Sequence, residues 1–172
     1  MEQLKNMIRN IPDFPSPGVM FRDITTVLKD PAGLSLAIDA MANLLDGIEF
    51  DLVLGPESRG FIFGVPLAYK LNKGFVPARK AGKLPAEVVS KSYELEYGKA
   101  EIEVHKDALI PGRKVIIADD LLATGGTARA VADLVVEHKM QVAAFVFLIE
   151  LDALGGRAAL AGYDNINSVL VY

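Results

Sequence analysis

Short apolar segments alternate with amphipathic segments along most of the chain. Residues 52–54, 115–118 and 142–149 are uninterrupted apolar runs, which are typical of strands buried on both faces of a parallel sheet. Between such runs, apolar residues recur at helical spacing, as in Leu34, Ile38 and Met41. This alternation predicts an α/β fold with a mostly parallel central sheet flanked by helices.

The individual elements follow from the same pattern. The predicted strands are residues 51–55, 75–79, 115–118, 142–149 and 166–171, and the predicted helices are residues 4–10, 61–71, 128–138 and 154–160, with another starting at Asp30-Pro31. Pro66 predicts a bend or a late start in the helix over 61–71. Residues 13–24 begin with too many prolines for a helix and predict an extended segment. Residues 88–93 and 100–105 predict a hairpin with a polar tip, which we expect to be mobile.

Length and composition narrow the class of protein. The 172 residues, 51% of them hydrophobic, suit one domain spanning residues 1–172. The absence of cysteine excludes thiolate chemistry and favours a reducing, cytoplasmic location. The net charge of −4 argues against nucleic-acid binding, and no signal peptide or membrane-length apolar run is present. The two histidines, His105 and His138, lack metal-ligand spacing, so we expect no zinc site.

The clearest candidate site follows the apolar run over residues 115–118. Asp119 and Asp120 come next, and a small loop over residues 123–127 precedes a helical pattern. Because ligands of open α/β sheets bind beyond the carboxyl ends of strands, the loop N–H groups suit a phosphate and the two acids suit hydroxyl groups. A sugar phosphate fits both. The alternative is an ordinary turn in which Thr127 caps the helix.

Two further segments add cationic groups near predicted strand ends. Arg59 lies between Gly55 and Gly60, just after the strand over 51–55, and its planar cation suits phosphate oxygens. Four basic residues and one acid fall between Arg79 and Lys91, a local excess of positive charge that suits a polyanion. Taken alone, each segment is better explained as a solvated surface, and its place at a strand end is what favours a function.

Residues 115–127 resemble the phosphoribosyl pyrophosphate motif of type I phosphoribosyltransferases, and residues 55–60 resemble the pyrophosphate loop of that family. The resemblance implies that Asp119 and Asp120 hold the ribose and that the next loop binds the 5-phosphate, through Ala123, Thr124, Gly125, Gly126 and Thr127. It implies a cis peptide bond at Glu57-Ser58. The pyrophosphate contacts implied are Glu57, Ser58, Arg59, Arg79, Lys80 and Lys83, and Arg59 also counts among the catalytic residues.

Residues 93–101 and 14–24 are similar to the catalytic loop and base-binding hood of the adenine-specific branch of the family. The resemblance implies a hood over residues 1–30 and a flexible loop over residues 80–105. Glu96, assisted by Tyr97, would handle the adenine proton. The base contacts implied are Met20, Phe21, Arg22 and Leu151, although Leu151 could equally be a plain core residue. For Glu96, the alternative is a solvated hairpin glutamate.

The resemblance implies transfer of a 5-phosphoribosyl group from phosphoribosyl pyrophosphate to adenine, giving AMP and pyrophosphate. Mg²⁺ would be held mainly by substrate, with Asp119 and Asp120 reaching it through water. A homodimer is expected, with Arg79 or Lys80 reaching toward the partner's site. No membrane or nucleic-acid partner is expected. The alternatives are an enzyme acting on another base (hypoxanthine, guanine, xanthine or orotate) and a regulator that senses nucleotides without catalysis.

Overall fold

The computed structural model of the protein describes residues 1–94 and 99–172, which fall into two units, residues 1–40 and residues 41–172. The first unit contains α1 (Glu2–Met7), β1 (Arg9–Pro12), β2 (Met20–Asp23), α2 (Thr25–Leu28) and most of α3 (Pro31–Asn43). Helix α3 begins at the proline that the sequence predicts as its first residue.

An antiparallel pair of short strands, β1 and β2, forms the centre of the first unit, with Arg9 opposite Asp23. The Arg9 Nε donates a hydrogen bond of 2.9 Å to Oδ2 of Asp23. The backbone N–H and hydroxyl of Thr25, together with Arg9, lower the pKa of Asp23 to about 2. The helix predicted over residues 4–10 is therefore wrong in its second half: α1 ends at Met7 because the following residues pair with β2.

The second unit alternates strands and helices, as predicted. It contains β3 (Leu52–Pro56), α4 (Arg59–Lys70), β4 (Gly74–Lys80), β5 (Val88–Glu94), β6 (Lys99–His105), β7 (Lys114–Leu122), α5 (Gly126–Glu137), β8 (Gln141–Glu150), α6 (Gly156–Ala159) and β9 (Ile166–Val171). Short 3₁₀ turns lie at Lys106–Ala108 and Asp152–Leu154. Helix α4 begins at Arg59, so Pro66 lies inside the helix and does not delay its start.

Seven strands form one sheet in the order β5-β6-β4-β3-β7-β8-β9. The five strands from β4 to β9 in this order pair in parallel, and the β5-β6 hairpin adds to the edge of β4 in antiparallel fashion. The predicted mostly parallel sheet and hairpin are thus confirmed. The carboxyl ends of the parallel strands meet along one edge, where the ligand crevice of such a sheet lies.

The central strands are buried on both faces. In β7, Val115, Ile116 and Ile117 are all fully buried, and successive side chains of a strand point to opposite faces. This double burial explains why the strand has no polar alternation. In the part of the chain that the structure describes, no helix combines the length and the apolar character needed to cross a bilayer.

Two predicted boundaries differ from the structure near the carboxyl edge of the sheet. Strand β7 does not stop at Ala118 but continues to Leu122, because pairing with β8 extends to the Leu122–Glu150 pair. The two acids are therefore inside the strand. The helix predicted over residues 154–160 is divided into a 3₁₀ turn and the short α6, with a left-handed residue, Gly155, between them.

Candidate active site

A cavity of about 400 Å³ opens at the carboxyl edge of the sheet. It is lined by residues 57–59 after β3, by Lys80 at the end of β4, and by residues 119–128 from β7 to the start of α5. Strands β3 and β7 are neighbours in the sheet, so the segments that follow them lie together although they are far apart in sequence. The cavity therefore unites the predicted sugar-phosphate motif with part of the predicted pyrophosphate site.

Two adjacent carboxylates form the floor of this site. Asp120 is only 3% exposed, and its backbone N–H donates a 2.8 Å hydrogen bond to Oδ1 of Asp119. The Arg59 Nε lies 3.0 Å from Oδ2 of Asp120, but this buried oxygen accepts no hydrogen bond of good geometry from any described residue. A buried acceptor without a well-aligned donor is rare in a folded protein.

The surroundings of the two acids oppose full ionisation of both carboxyl groups. Burial, with the charge of Asp120 added to it, raises the pKa of Asp119 well above its ordinary value of 3.8. Burial also raises the pKa of Asp120, and the Arg59 guanidinium opposes part of that rise. Groups that donate hydrogen bonds to these oxygens would stabilise the charged form and reverse part of both shifts.

The loop after β7 is shaped for an anion. Gly125 precedes the first residue of α5 and has a φ of +81°, a left-handed conformation that glycine adopts without strain. The loop and the positive end of the α5 dipole therefore face the cavity together. Thr127 forms no cap of α5; its hydroxyl lies 3.2 Å from the Tyr93 hydroxyl on β5.

The segment after β3 has the unusual backbone that the resemblance implies: the peptide bond between Glu57 and Ser58 is cis. The Glu57 carboxylate accepts hydrogen bonds from Arg79 at 3.1 and 3.2 Å and from the Lys80 N–H at 3.1 Å. These donors lower the pKa of Glu57, with the Arg79 bond the largest cause. They also tie the segment after β3 to the end of β4.

Not every predicted contact lies in the cavity. Arg79 and Lys83 are absent from its described lining, because the Arg79 guanidinium is bound to Glu57 and to the Lys83 carbonyl oxygen at 3.1 Å. Leu151 is also absent from the lining, and its backbone N–H donates to Leu122 at 2.9 Å.

The predicted base contacts on β2 belong to the first unit. Met20 is exposed and Phe21 is half-buried, with its ring edge-on to Phe14 at 5.1 Å between centroids. Arg22 binds the side-chain oxygen of Asn10. The predicted proton-handling residues, Glu96 and Tyr97, lie outside the described residues.

Tyr93 is a site neighbour that the sequence does not single out. Its segment resembles a catalytic loop, but no spacing signal distinguishes this tyrosine from its neighbours. Within residues 1–94 and 99–172, no three acidic, histidine or cysteine side chains cluster closely enough to hold a metal ion. The carboxylate oxygens of Asp119 and Asp120 are nonetheless ligands of the kind that Mg²⁺ prefers, and both residues line the cavity.

Comparison with known proteins gives a consistent result. Residues 23–165 match the phosphoribosyl transferase domain family. The chain is 56% identical over 172 residues to the adenine phosphoribosyltransferase of Agathobacter rectalis, covering 100% of this chain and 98% of that protein. The crystal structure of adenine phosphoribosyltransferase from Thermoanaerobacter pseudethanolicus has a TM-score of 0.96 at 53% identity, covering 99% of both chains.

A more distant relative was solved with ligands. The Saccharomyces cerevisiae adenine phosphoribosyltransferase, complexed with an imino-altritol bisphosphate and adenine, has a TM-score of 0.91 at 39% identity. The alignment covers 98% of this chain and 97% of that chain. The likeness therefore extends over the whole chain and is not limited to the motif after β7.

Proposed function

The chain belongs to the phosphoribosyl transferase family and, within it, to the adenine phosphoribosyltransferases, and from this premise we propose how it works in purine salvage. It transfers the 5-phosphoribosyl group of phosphoribosyl pyrophosphate to adenine, giving AMP and pyrophosphate. The reaction is a pentosyl transfer, and the chain is an enzyme of the glycosyltransferase type. The observation that supports it best is the cavity joining the acid pair, the loop before α5 and Arg59.

The sugar half of the substrate binds at the carboxyl end of β7. Asp119 and Asp120, which both line the cavity, accept hydrogen bonds from the ribose hydroxyls. The 5-phosphate binds the loop over residues 123–127, where backbone N–H groups and the Thr127 hydroxyl are available as donors and the positive end of the α5 dipole attracts the anion. The neutral ribose hydroxyls therefore contact the acids, and the anion contacts the loop.

The pyrophosphate half binds the segments after β3 and β4. Ser58, Arg59 and Lys80 line the same cavity as the acids, so they are placed to receive the leaving group. Glu57 holds this wall together through Arg79. Arg79 and Lys83 join the pyrophosphate contacts when the polyanion competes for the Arg79 guanidinium.

Adenine supplies the nucleophile, so the protein needs no nucleophilic side chain. A base nitrogen attacks the anomeric carbon as the bond to pyrophosphate breaks, through an oxocarbenium-like transition state. Residues 1–30 form the hood for the base, with Met20, Phe21 and Arg22 as contacts. Leu151 packs on the purine. Residues 80–105 form the catalytic loop, in which Glu96, assisted by Tyr97, handles the proton of adenine.

Bound with phosphoribosyl pyrophosphate, Mg²⁺ would neutralise charge on the leaving group. Asp119 and Asp120 would hold the ion through water, and the substrate would supply most of its other ligands. The carboxylate chemistry of the site fits this role. A cytoplasmic location is supported by the absence of cysteine, because a chain without cysteine forms none of the disulfides that are typical of oxidising compartments.

A homodimer is the proposed assembly, with Arg79 or Lys80 reaching toward the partner's site. It is supported by an apolar stripe on α4 at three- and four-residue spacing. Ile62, Val65 and Tyr69 are 39%, 48% and 88% exposed, and such residues on one helix face are typical of an interface.

The experiment that tests the proposed function compares the wild type with Glu96→Gln in a spectrophotometric assay with adenine, phosphoribosyl pyrophosphate and Mg²⁺. We expect the wild type to form AMP and Glu96→Gln to lose about 10²–10⁴-fold in kcat, the range of general acid–base catalysis. Glu49→Gln, an exposed glutamate before β3 and outside the catalytic loop, is the matched control and should keep wild-type turnover. Full turnover in Glu96→Gln would remove the proton-handling role.

A further inference from the structure

Helix α6 packs its backbone directly against the loop that precedes α5. A Cβ atom on Gly156 would lie 2.3 Å from the carbonyl oxygen of Ala123 and 2.8 Å from the Leu122 side chain. In the other direction, a Cβ on Gly125 would lie 2.6 Å from the Gly156 carbonyl oxygen. Because no side chain fits between the two segments, a displacement of α6 must displace the loop.

An ion pair between a half-exposed arginine and a buried carboxylate joins α6 to the end of β8. Arg157, on α6, makes two parallel contacts with the Glu150 carboxylate, Nε to Oε1 at 2.6 Å and Nη2 to Oε2 at 2.8 Å. Glu150 is only 3% exposed, and its bond to Arg157 is the main reason that its pKa is lowered. A two-point contact between an arginine and a carboxylate restricts the orientation of both groups as well as the distance between them. Such a contact is suited to holding α6 in one position.

Each nitrogen of the Arg157 guanidinium makes a contact within the protein. Its third nitrogen, Nη1, donates to the carbonyl oxygen of Ile166 on β9 at 2.9 Å. The three contacts together fix the direction of the guanidinium. A shift of the guanidinium would break them and leave the buried Glu150 carboxylate without its counter-ion.

The same elements meet the loop at both of its ends. Glu150 is opposite Leu122 in the β7–β8 pairing, directly before the loop begins at Ala123. After the loop, Arg129 on α5 donates through Nη1 to the Ala159 carbonyl oxygen of α6 at 3.3 Å. The loop is therefore held by β8 at its first end and by α6 at its second.

We propose that Glu150 and Arg157 are positioning residues for the sugar-phosphate subsite: their ion pair holds α6, and α6 holds the loop over residues 123–127 in its phosphate-binding shape. The inference rests on the proposed function, because it takes that loop as the 5-phosphate subsite. It concerns one half of the substrate only. Among the described residues, the side-chain bonds of the pyrophosphate wall, residues 57–59 and Lys80, are made with Arg79, Asp120 and each other and not with α6.

The test measures the affinity of each half of the substrate separately by calorimetry. Arg157→Lys keeps the charge but cannot form the two-point contact. We expect its Kd for ribose 5-phosphate to rise about tenfold, or about 1.4 kcal/mol, while its Kd for Mg²⁺-pyrophosphate stays within about twofold. In turnover, the KM for phosphoribosyl pyrophosphate should rise and the KM for adenine should not.

A second variant separates positioning from stability. Glu150→Leu combined with Arg157→Met removes both charges, so that neither partner leaves the other without its counter-ion. We expect this double variant to keep the wild-type Tm and still bind ribose 5-phosphate weakly. Lys114→Met is the control, since it removes the cation of an exposed pair with Glu49 at the opposite end of β7 and should change neither affinity.

Three results would overturn the inference. Wild-type affinity for ribose 5-phosphate in both Arg157→Lys and the double variant would show that the pair does not position the loop. Equal weakening of both ligands would indicate a general disturbance of the fold. If the wild type itself bound pyrophosphate but no ribose 5-phosphate, the proposed function would fail together with the inference, so the two failures are distinguishable.

Discussion

Replacing Asp119 by asparagine should make the protein more stable at neutral pH while weakening its sugar subsite. The side chain is nearly isosteric, and its oxygen can still accept the 2.8 Å hydrogen bond from the Asp120 N–H. What the change removes is a negative charge that burial and Asp120 disfavour. Removal of that charge also relieves the repulsion on Asp120, which is 3% exposed.

The sign and size of the effect follow from proton linkage. Because the pKa of Asp119 is raised in the folded protein, the folded state binds more protons than the unfolded state above the ordinary value of 3.8. Wild-type stability therefore falls as pH rises through the window between 3.8 and the raised value, by up to about 1.4 kcal/mol per pH unit. Asp119→Asn lacks this loss, so its advantage grows with pH and then levels off.

Urea unfolding from about pH 4 to about pH 8 measures this difference. Each kcal/mol should also raise Tm by about 2–4 °C in a chain of this size. Asp46→Asn is the control, because Asp46 is exposed and its replacement should change stability by less than about 0.5 kcal/mol. A pH-independent difference between Asp119→Asn and the wild type, or a less stable variant at about pH 8, would refute the reasoning.

The same variant should lose affinity for ribose 5-phosphate. A hydrogen bond to a charged group contributes about 1.5–3 kcal/mol, so we expect Kd to rise about ten- to hundredfold. Calorimetry with the variant and the wild type measures the ratio. Unchanged affinity would mean that Asp119 does not hold the ribose. A variant that is more stable than the wild type but binds ribose 5-phosphate more weakly is expected when the charges of a site stabilise the bound ligand and destabilise the folded protein without it.

Two other changes test the surroundings of the site. Tyr93→Phe removes the hydroxyl that lies 3.2 Å from Thr127, so steady-state kinetics should show a rise of about two- to tenfold in KM for phosphoribosyl pyrophosphate and none for adenine; an unchanged KM for the sugar would exclude a contribution of this bond. Val65→Glu places a charge on the apolar stripe of α4, so sedimentation should show a dimer for the wild type and mostly monomer for the variant; a monomeric wild type at working concentration would remove the homodimer.

The fold could be predicted where burial alone determines the pattern. Residues 115–118 of β7 and 142–149 of β8 are apolar throughout because both faces of a parallel sheet are covered, and helix α3 has a proline at its first position. The acid pair could be found for a related reason, since two adjacent carboxylates stand out at the end of such a run. The glycine-rich loop that follows the acids then indicates that the site binds a phosphate group.

Features that depend on a partner far along the chain could not be predicted. Strand β1 has no apolar alternation; it exists because it pairs with β2, so local propensity favoured a helix there. The extension of β7 depends on its pairing with β8. The ion pair of Glu57 with Arg79 joins residues 22 positions apart, and each residue taken alone resembles a solvated charge. Only the register of the sheet brings such groups together.

The central claim is that this chain makes AMP from adenine and an activated ribose phosphate. Its most direct test incubates the wild-type protein with phosphoribosyl pyrophosphate, Mg²⁺ and one base at a time, and separates the nucleotide products by chromatography. We expect adenine to give AMP with one pyrophosphate released for each AMP, and hypoxanthine, guanine, xanthine and orotate to give no nucleotide. Preferred use of another of these bases, or binding of phosphoribosyl pyrophosphate without any nucleotide product, would contradict the claim.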